Sequence, residues 1–401
     1  MTLPSASGLP RTIHVVGYAR TAIGSFGGSL KDVPLKELAT QVVRVALERS
    51  GASARSVGHV VMGNVVPTEP HDAYLSRIAA IGAGIPDSVP AFNVNRLCGS
   101  GLQAVVSAAQ AICLGEASVA VAAGAESMSR GGYLTPSARW GARLGDTVML
   151  DYMNTILHDP FSGLHMGITA ENVASRFNIS RQDQDALALE SQRRASQAIQ
   201  AGHFVDQITP VTVRQGRKDV VFDTDEHVRP KVSAERLATM KPVFKADGSV
   251  TAGNASGIND GAAALVLADE QTLAEQGLTS LARLVSWAHT GVDPQLMGIG
   301  PVSASRLALA RAGLTIEDID VIESNEAFAA QACAVTRELG LDPARVNPNG
   351  SGISLGHPVG ATGCIIAIKA IAELHRTGGT HALVTMCIGG GQGIAAIFQR
   401  S

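Results

Sequence analysis

The chain repeats itself, and that repetition limits the folds open to it more than any single motif does. "VVGYARTAI" (Val15 to Ile23) and "LVSWAHTGV" (Leu284 to Val292) align at a spacing of 269 residues: an apolar strand, an aromatic residue, alanine, a basic residue or histidine, then threonine. "RSGASARSVGHVV" from Arg49 and "RAGLTIEDIDVIE" from Arg311 align at 262, and both read as helix, glycine stop, short loop and strand. The helix after Gly101, leading into "ASVAVAAG", and the helix after Gly363, leading into "HALVTMCIGG", are again 262 residues apart. Self-similarity of this kind predicts two halves of similar structure.

Each half reads strand, helix, strand, turn, helix, strand, and Ala- and Val-rich strands suit sheets covered on both faces. The expected class is therefore α/β. Residues 1–127 plus 259–280 form one half, 281–401 the other, and 128–258 an inserted loop domain. The insertion changes composition: a charged amphipathic helix is predicted over Ser180 to Ile199, with Ala186, Leu187, Leu189 and Ala195 as its apolar positions, among loops rich in Pro, Gly, Asp and Lys. Loops of that length are usually binding lids or disordered, and the helical content favours a lid.

With 45% hydrophobic content over 401 residues the chain has apolar surface enough for real cores, and 43 glycines with few aromatics suit close-packed helices on sheets. A formal net charge of −3 argues against a general nucleic-acid binder, so an anionic ligand must be held locally. The N-terminal "MTLPSASGLPRT" lacks the features of a secretory signal, and no run of about 18 apolar residues suggests a membrane span. A cytoplasmic protein without a membrane partner is expected, with residues 1–11 as a mobile leader. Five cysteines, widely spaced and without a CxxC pair, indicate neither a disulfide framework nor a metal site.

One cysteine stands out. Cys98 lies between an alternating apolar run (Phe92, Val94, Leu97) and a helical pattern (Leu102, Val105, Val106, Ala109, Ile112), and is followed by Gly99 and Gly101. A free cysteine is most often a small core residue. At a helix start beside an imidazole, however, its pKa is lowered to about 3.5–7.5. The glycines permit a sharp turn and let a carbonyl approach backbone N–H groups. In the second half, the region before the equivalent helix carries His357, fixed by Pro358; the strand after it ends in Cys387, and "ESNEAFAA" offers Asn325 and Glu326. Halves packed face to face bring these turns to one crevice. "GGGQG" (Gly389 to Gly393) is not a dinucleotide loop, because only eight residues follow it.

Together "NRLCGSGLQA", "GAESMS", "HMGITAEN", "TAGNASGINDGAAA", "NEAFA", "GHPVGATG" and "CIGGGQG" resemble the thiolase family, most closely its biosynthetic acetyl-CoA acetyltransferases and β-ketothiolases, from about residue 12 to 399. The resemblance implies a five-layered αβαβα fold with a loop domain. It implies reversible condensation of two acetyl-CoA to acetoacetyl-CoA, or thiolysis of short-chain 3-ketoacyl-CoA. Cys98 would be the acylated nucleophile, His357 its proton acceptor and Cys387 the acid/base for the second substrate. One oxyanion hole would use the His357 ring N–H and a water held by Asn325; the other would use the backbone N–H groups of Cys98 and Gly389. Leu157, His165, Met166, Arg229, Phe244 and Ser256 would grip coenzyme A, with Arg229 toward the phosphates and Ser256 toward pantetheine. Coenzyme A and acetyl-CoA are substrates, and no prosthetic group or metal is implied.

Pro230 and Arg236 depart from the family pattern, and Arg236 offers an alternative partner for the 3′-phosphate. "CGSG" and "GHPVGATG" favour short-chain chemistry over a degradative 3-ketoacyl-CoA thiolase of broader chain length. A ketoacyl synthase would carry His or Asn where Cys387 stands. Retention of Cys98, His357, Asn325 and Cys387 opposes a noncatalytic thiolase-like CoA- or lipid-binding protein. A homotetramer, a dimer of dimers, is implied, with Gly131 to Asp146, carrying Tyr133 and Trp140, as the candidate contact.

Overall fold

The computed structural model describes residues 9–401. Most of the expected leader lies outside those residues, but Leu9 packs on the core and Arg11 pairs with Asp269 at 2.8 Å, so the chain is tied down before the first strand.

The first half contains β1 (Ile13–Arg20), α1 (Leu35–Ser50), β2 (Val57–Gly63), β3 (Ala91–Val94), α2 (Ser100–Cys113), β4 (Val119–Ser127) and β5 (Asn259–Asp269). The insertion carries α3 (Met166–Arg176) and α4 (Arg181–Gln200). The second half contains β6 (Ala282–Gly291), α5 (Gly300–Ala312), β7 (Val321–Ser324), α6 (Ala329–Leu339), α7 (Val359–Thr377), β8 (His381–Ile388) and β9 (Gln392–Arg400).

The pairing makes the repeat explicit. β2 runs parallel to β4, which pairs antiparallel with β5, which pairs antiparallel with β1. In the second half β7 is parallel to β8, β8 antiparallel to β9, and β9 antiparallel to β6. The glycine stops are equivalent as well: Gly51 ends α1 at φ 72° and Gly313 ends α5 at φ 68°, conformations that cost a side-chain-bearing residue dearly. The expected element order omitted the last antiparallel strand of each half. β9 returns through the short turn at Gly389–Gly391, whereas residues 128–258 occupy the same topological position between β4 and β5.

α7 packs on α2 and on strands of both halves, while α1 covers β1, β4 and β5 and α5 covers β6, β8 and β9. The layers are therefore helix, sheet, paired helices, sheet, helix. The half-sheets also touch edge to edge through β1 and β6, at His14 with Arg283 and Val15 with Ala282. The central helices approach closely because both are glycine where they meet. A Cβ on Gly101 would lie 2.8 Å from the Cys364 nitrogen, and one on Gly363 would overlap the Leu102 nitrogen. The 262-residue repeat thus places its own glycines across the pseudo-twofold axis.

α4 forms one residue later than expected at each end, with Ser180 capping it in a reciprocal box with Asp183. Its buried face, however, is Gln184, Ala188, Ser191, Gln192, Ala195 and Ala198, while Ala186 is exposed. Apolar spacing found Ala195 and the partly buried Leu187 and Leu189 but missed the polar members of the face, which are hydrogen-bonded: Ser191 donates to Glu326 (2.6 Å) and Gln192 to the Ile353 carbonyl (3.3 Å). The insertion is also joined to the first half at depth. Arg20, fully buried on β1, forms a two-pronged pair with Asp225 at 2.8 and 3.0 Å. Breaking a buried pair by removing one partner costs about 3–5 kcal/mol.

Candidate active site

The Cys98 turn runs from the end of β3 to the start of α2. Its unusual backbone belongs to Leu97, at φ 48°. Ser100 staples the turn, donating to the Leu97 carbonyl (2.7 Å) while accepting from the Arg96 N–H (2.8 Å). The expectation that Gly99 and Gly101 make room for substrate is corrected by their surroundings. A Cβ on Gly99 would stand 2.5 Å from Ile388 Cδ1 and one on Gly101 would strike α7. These glycines bring the turn against protein, specifically against the end of β8 that carries Cys387.

The electrostatic expectation for Cys98 is also overturned. Its thiol is pushed up to about 11, chiefly by burial and further by the Glu126 carboxyl, against the smaller pull of the Gly389 N–H and its own N–H. The helix starts at Ser100, two residues beyond Cys98, and among the described residues no cation balances the desolvation. Burial likewise pushes His357 down to about 4. In the free protein the pair is thiol and neutral imidazole.

His357 sits in the turn before α7, with Pro358 as N-cap. Side chains of the first half hold this second-half turn. The His357 N–H donates to Asn259 Oδ1 (2.9 Å), and Asn259 Nδ2 donates to the Gly24 carbonyl (3.0 Å). Gly356, at φ 105°, leaves the room that Asn259 occupies: a Cβ there would lie 2.5 Å from the amide. Glu126, fully buried, accepts from the N–H groups of Val65 (3.1 Å), Val66 (2.9 Å) and Gly360 (2.9 Å) and from Asn64 (3.0 Å). Burial raises its carboxyl to about 8 against those donors. The ring itself has Nδ1 2.6 Å from Thr362 Oγ1 and Nε2 3.4 Å from Asn325 Nδ2.

Asn325 and Cys387 lie one layer behind the cavity wall. Asn325 is fully buried with Oδ1 unpartnered. Cys387 packs with Met166, Met297 and Ala327; burial raises its thiol, and Cys98 opposes its ionisation from close by.

A cavity of about 690 Å³ gathers the remaining candidates: Cys98, His357 and Gly389 line it together with Leu157, His165, Met166, Arg229, Phe244 and Ser256. His165 caps α3 by accepting from the Gly167 N–H (3.0 Å) and stacks on Phe244 at 4.6 Å between ring centres. Gly167 is required there because a Cβ would overlap the Phe244 ring. Arg229 is exposed, and its guanidinium makes no hydrogen bond among the described residues, while its backbone N–H is held by Gln192 at 2.7 Å. Ser256 is anchored by its N–H on the Ala327 carbonyl (2.9 Å). Arg236 does not line the cavity.

Sequence reasoning missed Asn64, Asn259 and Thr362 as parts of this site, and did not give Glu126 a role. Three of the four lie in or beside quoted motifs, yet only the fold reveals that first-half residues grip a second-half turn. Chemically, the arrangement presents a thiol and a neutral base to a mostly apolar chamber, with N–H donors at the thiol and one free guanidinium for an anion.

Residues 13–271 match the family description "Thiolase, N-terminal domain" and residues 278–400 "Thiolase, C-terminal domain". Among curated proteins, the chain is 63% identical over 394 residues to beta-ketothiolase BktB of Cupriavidus necator, covering 98% of this chain and 100% of that one. It is 50% identical over 390 residues to an acetyl-CoA acetyltransferase of Pseudomonas aeruginosa, covering 97% and 99%. Among solved structures, human mitochondrial 3-ketoacyl-CoA thiolase in complex with CoA superposes with a TM-score of 0.96 at 44% identity, covering 99% of this chain and 100% of that one.

Proposed function

The chain belongs to the thiolase family, and from that premise we propose that it is an acetyl-CoA C-acetyltransferase, a β-ketothiolase working through an acyl-Cys98 intermediate. The observation that carries the reading is the meeting of Cys98, His357 and Gly389 with six coenzyme A-gripping candidates around one cavity. Cys98 sulfur attacks the thioester carbon as His357 takes its proton; the carbon–sulfur bond to coenzyme A then breaks, and the departing sulfur receives the proton back. With a thiol near 11 and an imidazole near 4, proton transfer accompanies bond formation and is not completed beforehand. The N–H groups of Cys98 and Gly389 lie at the sulfur, where they can stabilise charge that develops on a carbonyl oxygen bound there. In the second half-reaction, Cys387 as thiolate removes a methyl proton from acetyl-CoA, the resulting carbanion attacks the acetyl-enzyme, and the carbon–sulfur bond to Cys98 breaks to release acetoacetyl-CoA; the freed Cys98 sulfur then takes its proton back from Cys387. Leu157, His165, Met166, Phe244 and Ser256 hold the pantetheine arm and Arg229 the phosphates, within a loop domain spanning residues 128–258.

The acyl preference is short. Cys98 packs against an apolar cluster of Val65, Val66, Met128, Met153 and Val359, of which Val65, Met128 and Val359 line the cavity with it. Thiolysis kcat/KM is expected to be highest for four- and five-carbon 3-ketoacyl-CoA and to fall at least about 10-fold for a ten-carbon chain. Comparable turnover of the ten-carbon substrate would make this a thiolase of broad chain length, and no turnover of any would leave a binding protein.

The cytoplasm is the proposed compartment, with supply of acetoacetyl-CoA for polyhydroxyalkanoate synthesis or fatty-acid metabolism as its setting. We also assign a homotetramer assembled through residues 131–146. Trp140 is 86% and Leu144 98% exposed, beside exposed Tyr133, Val148 and Met149, an apolar concentration that a monomer in water would not favour. Sedimentation equilibrium is expected to give a tetramer that Trp140→Glu with Leu144→Glu converts to a dimer. A dimeric wild type refutes the assignment.

A further inference from the structure

We propose that Thr362 is a positioning residue that holds His357 as its Nδ1–H tautomer, keeping Nε2 bare to receive the Cys98 proton. The argument is a count of hydrogens. Thr362 lies on the first turn of α7 and its hydroxyl donates to the Pro358 carbonyl at 2.8 Å. A hydroxyl has one hydrogen and two acceptor lone pairs, so its 2.6 Å contact with His357 Nδ1 must be one in which the ring donates. A neutral imidazole has a single N–H, which leaves Nε2 as an acceptor.

The far side of the ring is compatible with this as the Asn325 amide is oriented. Asn325 presents its NH2 group to Nε2 at 3.4 Å, and that group can only donate. Reversing the arrangement, with Thr362 donating to Nδ1, would set an Nε2–H against the Asn325 NH2, donor against donor. The ring is buried, and burial keeps it neutral down to about pH 4, so the tautomer is defined over the working range. Free imidazole side chains favour the opposite, Nε2–H, form in water, so the fold must impose this one, and Thr362 is the residue placed to do so.

The inference rests on the acyl-transfer reading for its consequence. The Cys98 S–H bond breaks as an N–H bond forms at Nε2, and Nδ1–H continues to donate to Thr362 while the ring is charged. When coenzyme A leaves, the Nε2 hydrogen passes to its sulfur. With the ring as the Nε2–H tautomer, Nδ1 is taken up by the Thr362 hydroxyl and the ring has no free acceptor to offer a thiol.

The test uses the full chain labelled with ¹⁵N-histidine, the His357 signals being those lost in His357→Asn. Long-range proton–nitrogen correlations are expected to show an N–H-type Nδ1 and a bare Nε2 in the wild type and in Thr362→Ser. In Thr362→Val the ring is expected to shift to Nε2–H or a mixture. Quenched-flow acetylation of Cys98 by acetyl-CoA should slow by about 100-fold in Thr362→Val and recover in Thr362→Ser. An Nε2–H ring in the wild type overturns the proposal even if the valine variant does not fold. So does an unchanged tautomer or rate in Thr362→Val, or a serine variant as slow as valine. Absence of Cys98 acetylation in the wild type would instead sink the acyl-transfer reading, and the spectrum would still decide the tautomer.

Discussion

Replacing Cys98 with alanine lowers kcat/KM for acetoacetyl-CoA thiolysis by about 10⁵-fold, because the covalent route disappears and only binding and the N–H donors remain. In the wild type, mixing with acetyl-CoA and quenching leaves one acetyl group per chain, which mass spectrometry of peptides locates on Cys98. The alanine protein carries none. The structure sharpens this expectation through electrostatics. Cys98 has a thiol pushed up to about 11, so it reacts slowly with a simple alkylating agent at neutral pH despite its place on an open cavity. Acylation by a thioester bound in the cavity is fast because His357 takes the proton during attack and N–H groups receive the developing oxyanion. Label on Cys333 or Cys364, or no label at all, removes the acyl-enzyme from the mechanism.

The repeat was readable because packing across a pseudo-twofold axis imposes residue identities that composition alone does not. Gly101 and Gly363 are glycine since each faces the other's helix, and Gly51 and Gly313 since each terminates a helix in the left-handed region. A period of 262 residues therefore carried real geometric information. The parts that resisted reading are those where burial and polarity coincide. The inner face of α4 carries Gln184, Ser191 and Gln192, so an apolar stripe looked for by spacing finds Ala195 but passes over its polar members. At the site, Cys98, His357 and the cavity-lining residues were legible from motifs, but the sign of the thiol's pKa was not. It depends on desolvation and on the Glu126 carboxyl arriving from β4, and neither is a local property of the "LCGSG" turn. Asn259 and Glu126 were invisible as supports for the same reason. Their partners, His357 and Gly360, lie 98 and 234 residues away in sequence.

The second thiol separates the two half-reactions. Changing Cys387 to alanine is expected to reduce condensation and thiolysis by about 10³- to 10⁴-fold, the range that general acid–base groups contribute. Acetyl transfer to Cys98, followed as exchange of label between acetyl-CoA and free coenzyme A, should fall by less than about 10-fold, since His357 alone manages that proton. Its surroundings explain the division of labour. Cys387 is 1% exposed at the end of β8 among Met166, Met297 and Ala327, and both burial and the neighbouring Cys98 disfavour its thiolate. A resting acid in that position is protonated, ready to donate to the carbanion released in thiolysis. For condensation it acts as the thiolate, and burial, which acetylation of Cys98 leaves unchanged, is the larger obstacle to that state. Acylation, which needs only Cys98 and His357, therefore precedes the proton abstraction that needs Cys387. Equal loss of exchange and condensation in the alanine variant would mean that Cys387 supports the first step as well, and this ordering would be wrong.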